Sequence, residues 1–274
     1  MKALFISELE RLWSKKSTWL IFIAIPLVLY ASSKYYLSHN LSVPEISPEF
    51  TSFANFPSAA IQEQLILFFN IVVVLLLVLS VTEEYRSGQI RMVMIRTRSF
   101  TQLFFAKFLA VSTTILLLLI TYYLLSIPIG YIFMPKLEKV QIFYYNGLST
   151  IKESFLYGIR YYAMSYLTLI AMASIVMFIA VISKTVTAGV GISVAFLLAS
   201  MIYPQILLIF SQNMTESLFK FQLLSLTHIQ HMGIAIMLGE HPTFVLYGFI
   251  VLIAYTLIFT ILSSAIFAKS DRYI

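Results

Sequence analysis

The sequence predicts an all-α integral membrane protein with six transmembrane helices, and three observations carry that prediction. The chain is 60% hydrophobic and only 11% charged, with a mean hydropathy of +0.90, whereas a soluble domain carries about 25% charged residues. Apolar runs recur near residues 18–37, 65–82, 107–134, 161–182, 186–210 and 243–268, each reaching the roughly 20 residues a helix needs to cross the hydrocarbon core. Barrel strands would alternate in segments of about ten residues; helices are the other way to satisfy a backbone in lipid. Cysteine is absent, so disulfides and thiolate metal sites are excluded.

Residues 1–17 form the first element. On a helix, Phe5, Ile6, Leu9, Leu12 and Trp13 share one face, with Ser7, Arg11, Ser14 and Lys15 opposite. Such a helix is expected to lie in the membrane interface. Glu8 and Glu10 argue against the basic leader of a cleaved signal peptide. The first span holds Pro26 and ends in Tyr30, Tyr35 and Tyr36, as suits a water interface. Residues 38–62, with Pro44, Pro48 and Pro57, read as an irregular outer connector.

The segment 83–106, between the second and third spans, carries Arg86, Arg91, Arg96 and Arg98 against Glu83 and Glu84, with Lys107 at its border. Short basic loops stay on the cytoplasmic side. Ile90, Met92, Val93, Met94 and Ile95, set among arginines, suit a short surface helix that turns its charges toward a soluble partner. Gly88 offers the preceding helix a place to end.

The third span is long and contains Pro128, so a tilt or a bend is expected. Residues 135–160 read as an amphipathic segment resting on the outer surface. Spans four and five are joined by little more than Ser183–Val186 and predict an antiparallel hairpin. Small residues fill their middles, including Ala171, Ala173, Ser174 and Ala180 in one and Ala188, Gly189, Gly191, Ser193, Ala195 and Ala199 in the other. Such residues let helices approach closely, within the chain or across a dimer seam.

Residues 212–242 are apolar but interrupted by Lys220, Gln222, His228, Gln230, His231 and Gly233. A seventh span here would put Lys269 and Arg272 outside, so a re-entrant outer pair of short helices is predicted, with His228 and His231 in an outer gate. His228, His231 and His241 lack the carboxylate or thiolate partners of a metal site, and no metal is expected.

Charge placement orients the chain. With both termini cytoplasmic, Lys2, Arg11, Lys15 and Lys16, the loop arginines with Lys107, Lys184, Lys269 and Arg272 all lie inside. The outside keeps Lys34, Lys136, Lys139, Lys152, Arg160 and Lys220. The net charge of +6 hugs span ends, which argues against nucleic acid as a partner.

At the second connection the chain resembles the ABC-2-type permeases, the membrane subunits of ATP-driven exporters. Glu84, Gly88, Ile90 with Met92 to Met94, Ser99 and Lys107 fall in the register of that family's motif after its second span. Thr97 stands where proline is usual, Phe100 where arginine is usual and Gln89 where threonine follows the glycine; Arg98 comes two residues before the expected arginine. The order of spans is similar over nearly the whole chain, taken as one domain over 1–274. The resemblance implies a bacterial cell-membrane location and a cytoplasmic coupling helix. It also implies an interfacial N-terminal helix (Phe5, Leu9, Leu12, Trp13) that helps seat an ATPase.

In that reading Glu84, Arg86, Gly88, Gln89, Ile90, Arg91, Arg96, Arg98 and Lys107 couple the chain to two copies of a separate ABC ATPase. A second permease copy or a paralogue would complete the pathway. Six spans are too few for a full translocation path in this family.

The chain itself contains no G-x-x-x-x-G-K-[ST] loop, H-E-x-x-H or G-x-S-x-G. No Asp, Glu, Lys or Arg sits at the centre of any run, which weighs against intramembrane catalysis and ion-coupled transport. No catalytic residue and no cofactor are therefore expected here; Mg-ATP would sit in the partner ATPase. A lumen lined by Asn70, Ser80, Thr113, Thr114, Ser165 and Thr168 would suit an amphipathic peptide or a hydrophobic compound. The alternative is a channel or assembly scaffold that works without ATP.

Overall fold

A computed structural model describes residues 1–86, 100–210 and 215–269. It is about 82% helical, with six long helices apolar enough to cross a membrane. Helix α1 (Lys2–Ser14) precedes the first of these, α2 (Lys16–His39). The second is composite: α3 (Phe56–Gln64), a π-helical turn at Leu65–Phe69, and α4 (Asn70–Arg86). Then come α5 (Phe100–Phe133), α6 (Ile151–Ile182) and α7 (Val186–Phe210), a bent pair of α8 (Glu216–Gln222) and α9 (Leu226–Leu238), and finally α10 (Val245–Lys269).

The second long helix starts at Phe56, earlier than the apolar run at 65–82 implies. Pro57 in its first turn is tolerated because an N-terminal N–H needs no intrahelical partner, and the polar Gln62, Glu63 and Gln64 hide this beginning from a hydropathy scan. Likewise α6 begins at Ile151 rather than at 161. Thr150 and Glu153 form a capping box there, with the Thr150 N–H donating to Glu153 Oε2 at 2.7 Å.

Residues 135–160 are not simply an amphipathic surface segment. They include a two-stranded antiparallel hairpin, β1 (Lys139–Gln141) and β2 (Leu148–Thr150), with Val140 opposite Ser149. The hairpin is tied to the segment after α9: Glu240 N–H donates to Tyr144 O at 3.0 Å, and Asn146 N–H donates to Glu240 Oε2 at 2.7 Å. Gly239 allows the approach, since a Cβ there would lie 2.7 Å from Tyr144 Cβ.

The core lies between α4, α5 and α6, while α7 and α10 are each only 17% buried along their most apolar stretch. The small residues of spans four and five, expected to let helices approach closely, pack in part against other helices. Helix α7 rests mainly on α4, where Gly189 would place a Cβ 3.1 Å from Val78 Cγ1. Helix α6 packs along α10, with Thr260 Oγ1 3.4 Å from Ser174 Oγ. Ala188, Gly191, Ala195 and Ala199 stay exposed on α7.

Helices α8 and α9 meet at 105°. The corner is held by Ser225, whose hydroxyl accepts from His228 N–H at 3.2 Å and donates to Ser200 O on α7 at 2.6 Å. Within α9 a second π-helical turn, Ile229–Gly233, lies against the one at Leu65–Phe69. There Gln230 and Asn70, both fully buried, join their side-chain amides, and Gln230 Nε2 also lies 3.4 Å from Thr168 Oγ1.

Candidate functional site

Of the predicted coupling residues, the structure describes the side chain of Lys107. Gly88, Gln89, Ile90, Arg91, Arg96 and Arg98 lie outside the described residues, and Glu84 and Arg86 belong to the last turn of α4. Lys107 lies close to the start of α5. It is 1% exposed, and its ammonium donates to Glu8 Oε2 at 2.7 Å and to Ser80 O at 3.2 Å. Glu8, on α1, is 4% exposed and also receives Arg11 Nη1 on its other oxygen at 2.8 Å. From the same helix end Lys15 Nζ reaches Leu79 O at 2.7 Å. Two lysines therefore grip consecutive carbonyls near the end of α4, one from α5 and one from α1.

Helix α1 meets the rest of the chain through the side that carries Glu8, Arg11 and Lys15, next to the apolar face expected to lie in the membrane interface. In the structure Ile6 is 42% exposed, while Glu8 and Leu12 are buried and both Arg11 and Lys15 turn inward. The physical reason is the charge on Lys107. A buried ammonium without a counter-ion costs several kcal/mol, more than the loss of one apolar contact, so the helix turns its carboxylate toward α5. Phe5, Leu9 and Trp13 are then left half-exposed beside the protein face, where a lipid interface would cover them.

Further contacts fix α1 in place. Trp13 Nε1 donates to Thr114 Oγ1 on α5 at 3.2 Å, and Trp19 Nε1 donates to Trp13 O at 2.9 Å across the break between α1 and α2. Thr18 Oγ1 donates to Leu12 O at 2.6 Å. The rings of Phe104 on α5 and Phe267 near the end of α10 meet at 5.7 Å, so the last long helix joins the same end of the bundle.

Chemically the cluster is a fixed set of charges. Its carboxylate is occupied by two cations. Glu8 was not singled out from sequence as a site residue. The available signal was a lone carboxylate at helical spacing from Leu12 and Phe5, in a chain that also needed a counter-charge for Lys107.

The other predicted residues are scattered. His231 O accepts from Gln62 Nε2 at 3.3 Å, while the His228 ring lies against Phe219 at 6.0 Å and its buried Nε2 has no hydrogen-bond partner. Among the described residues no group of three or more His, Asp or Glu could hold a metal ion. Asn70, Ser80, Thr114, Ser165 and Thr168 are buried in helix packing, so they line no open lumen in this conformation; Thr113 is half-buried.

Six long apolar helices around a buried core, with a charged cluster at one end, define a multi-pass helical protein suited to a membrane. No curated protein matches the chain. The chain belongs to the family described as protein of unknown function (DUF2705), whose profile matches residues 19–273.

Proposed function

We propose that this chain is the permease subunit of an ABC-2-type exporter in a bacterial cell membrane, driven by a separate ATP-binding subunit. The observation that carries the reading is the Glu8–Lys107 pair. It joins α1, the end of α4 and the start of α5 into one rigid corner, immediately bordering the arginine-rich segment 87–99. A push delivered to that segment would reach α4 and α5 together and draw α1 with them. Packed helices with two discrete arrangements transmit such a push without a charged relay through the membrane.

In this reading α1 lies in the cytoplasmic interface with both termini inside, residues 83–106 form the coupling loop, and α8 and α9 are a re-entrant outer pair. Two copies, or this chain and a paralogue, form the pathway. The exposed small residues Ala188, Gly191, Ala195 and Ala199 on α7 suit close approach of a second subunit. The cargo is an amphipathic peptide or hydrophobic compound.

Co-purification tests the proposal. A tagged wild-type chain, co-expressed with candidate ABC ATPases, retains one of them and stimulates its ATP hydrolysis, whereas Arg91→Glu combined with Arg96→Glu loses both. Retention of no ATPase by the wild-type chain, or full retention by the double variant, defeats it and favours a membrane channel or scaffold.

A further inference from the structure

At the end of the bundle opposite α1 there is a cavity of about 390 Å³, inside the range of roughly 300–1,000 Å³ typical of small-molecule sites. Its walls come from six parts of the chain. The end of α2 supplies Tyr35, Tyr36 and His39; the connector and α3 supply Glu49 and Glu63; the β-hairpin supplies Tyr144; and α6 and α9 supply Tyr157 and His231. We propose that this cavity binds an organic cation, of the quaternary or tertiary ammonium class carrying an apolar substituent.

Charge gives the sign of the ligand. Glu49 and Glu63 line the cavity, and among the described residues no lysine or arginine does. Among the described residues neither carboxylate pairs with a lysine or arginine; Glu49 has only His39 Nε2, at 4.0 Å. Two negative charges facing one concavity repel each other, and a cation between them relieves that repulsion.

Aromatic rings give its chemistry. Tyr35 and Tyr144 are each about half-exposed, so ring surface remains free for a ligand. The Tyr35 and His39 rings stack with centroids 6.0 Å apart and planes 7° from parallel, and His39 Nε2 lies 4.0 Å from Glu49 Oε2. Ring faces are negative and attract weakly hydrated cations, and quaternary ammonium groups are the usual occupants of such walls. A hard metal ion would instead need several converging oxygen or nitrogen ligands, and no such cluster occurs among the described residues.

The cavity is also framed by parts that hold their shape. Tyr36 Oη donates to Ala59 O at 2.9 Å, which locks α2 to α3, and Gln62 donates to His231 O, which locks α3 to α9. Binding requires no second subunit, so the proposal can be tested on this chain alone and stands apart from the exporter reading.

The test is a saturation-transfer NMR titration of the purified full chain in micelles of the non-ionic detergent dodecyl maltoside, which carries no ammonium group to compete with the probe. The probe is benzyltrimethylammonium, and phenylmethanesulfonate is the anionic control of similar shape. Saturable binding of the cation alone is expected. Glu49→Gln and Glu63→Gln should each weaken it about threefold, as for an exposed ion pair, and together about tenfold. Tyr35→Leu should weaken it about threefold through the lost ring face, independently of the carboxylates. All three side chains are exposed, so helical circular dichroism should match wild type. Non-saturable binding, equal binding of the sulfonate, or a double Glu variant within twofold of wild type overturns the proposal.

Discussion

Asn70 and Gln230 hold each other through both ends of their side-chain amides, at 2.7 Å and 3.1 Å, with neither residue exposed. Each stands beside a π-helical turn, Asn70 directly after Leu65–Phe69 and Gln230 within Ile229–Gly233. A wide turn displaces the residues around it from the ordinary helical ladder, and here both displacements converge on one buried contact between α4 and the bent pair.

Breaking that contact from one side should cost more than removing it. Asn70→Leu or Gln230→Leu leaves a buried amide without its partner, and each is expected to lower stability by about 1–2 kcal/mol. The double replacement should cost less than the two singles together. Thermal unfolding of the four proteins in one detergent provides the double-mutant cycle, and a coupling energy of zero would show that the two amides do not act as a pair.

The ion pair at the other end follows the same logic with larger numbers. Lys107→Met strands Glu8 with only Arg11 as counter-charge and is expected to destabilise by about 3–5 kcal/mol. Exchanging the charges, with Glu8→Lys and Lys107→Glu together, should recover part of that loss, while either exchange alone should not. The check is the yield of monodisperse protein and its unfolding midpoint. In the exporter reading, the single variants should also uncouple ATP hydrolysis from transport.

Gly239→Ala should loosen the hairpin, since the added methyl group would meet Tyr144 Cβ at 2.7 Å. Tyr144 has φ 63, in the left-handed region that glycine adopts freely. Tyr144→Gly in the same chain therefore removes the 2.7 Å contact and the strain, leaving the carbonyl oxygen of residue 144 at 3.2 Å from the added methyl group. Gly239→Ala is expected to cost about 1–3 kcal/mol and to raise hydrogen exchange at residues 139–150, with recovery in the double variant.

The exposed small residues of α7 give a prediction about assembly. If two copies meet there, Gly191→Cys or Ala195→Cys should form a disulfide-linked dimer in native membranes under mild oxidation, whereas Ile209→Cys, well exposed farther along the helix, should not.

The long apolar helices were legible because hydropathy alone decides them: lipid tolerates a backbone only when every amide is paired within its own segment. Reading failed where a non-local partner outweighed local character. Glu8 looked like an ordinary polar residue at a helix surface, since its burial depends on a lysine far along the chain. The hairpin at 139–150 is too short to show alternation, and its support comes from Glu240. The small residues of α6 and α7 correctly announced close packing, but composition does not say which helix supplies the other surface. Of the proposed elbow, the sequence pointed to Lys107 and missed the carboxylate that holds it.

The union of Glu8 with Lys107 also sets an order of biosynthesis. The two residues are separated by 99 positions, and at roughly 5–20 residues per second a ribosome needs about 5–20 s to travel from one to the other. Throughout that interval α1 has no Lys107 ammonium to dock against; in the exporter reading it waits at the surface of the bilayer while two long hydrophobic segments are threaded past it. Its seating marks the moment at which the third of them has arrived.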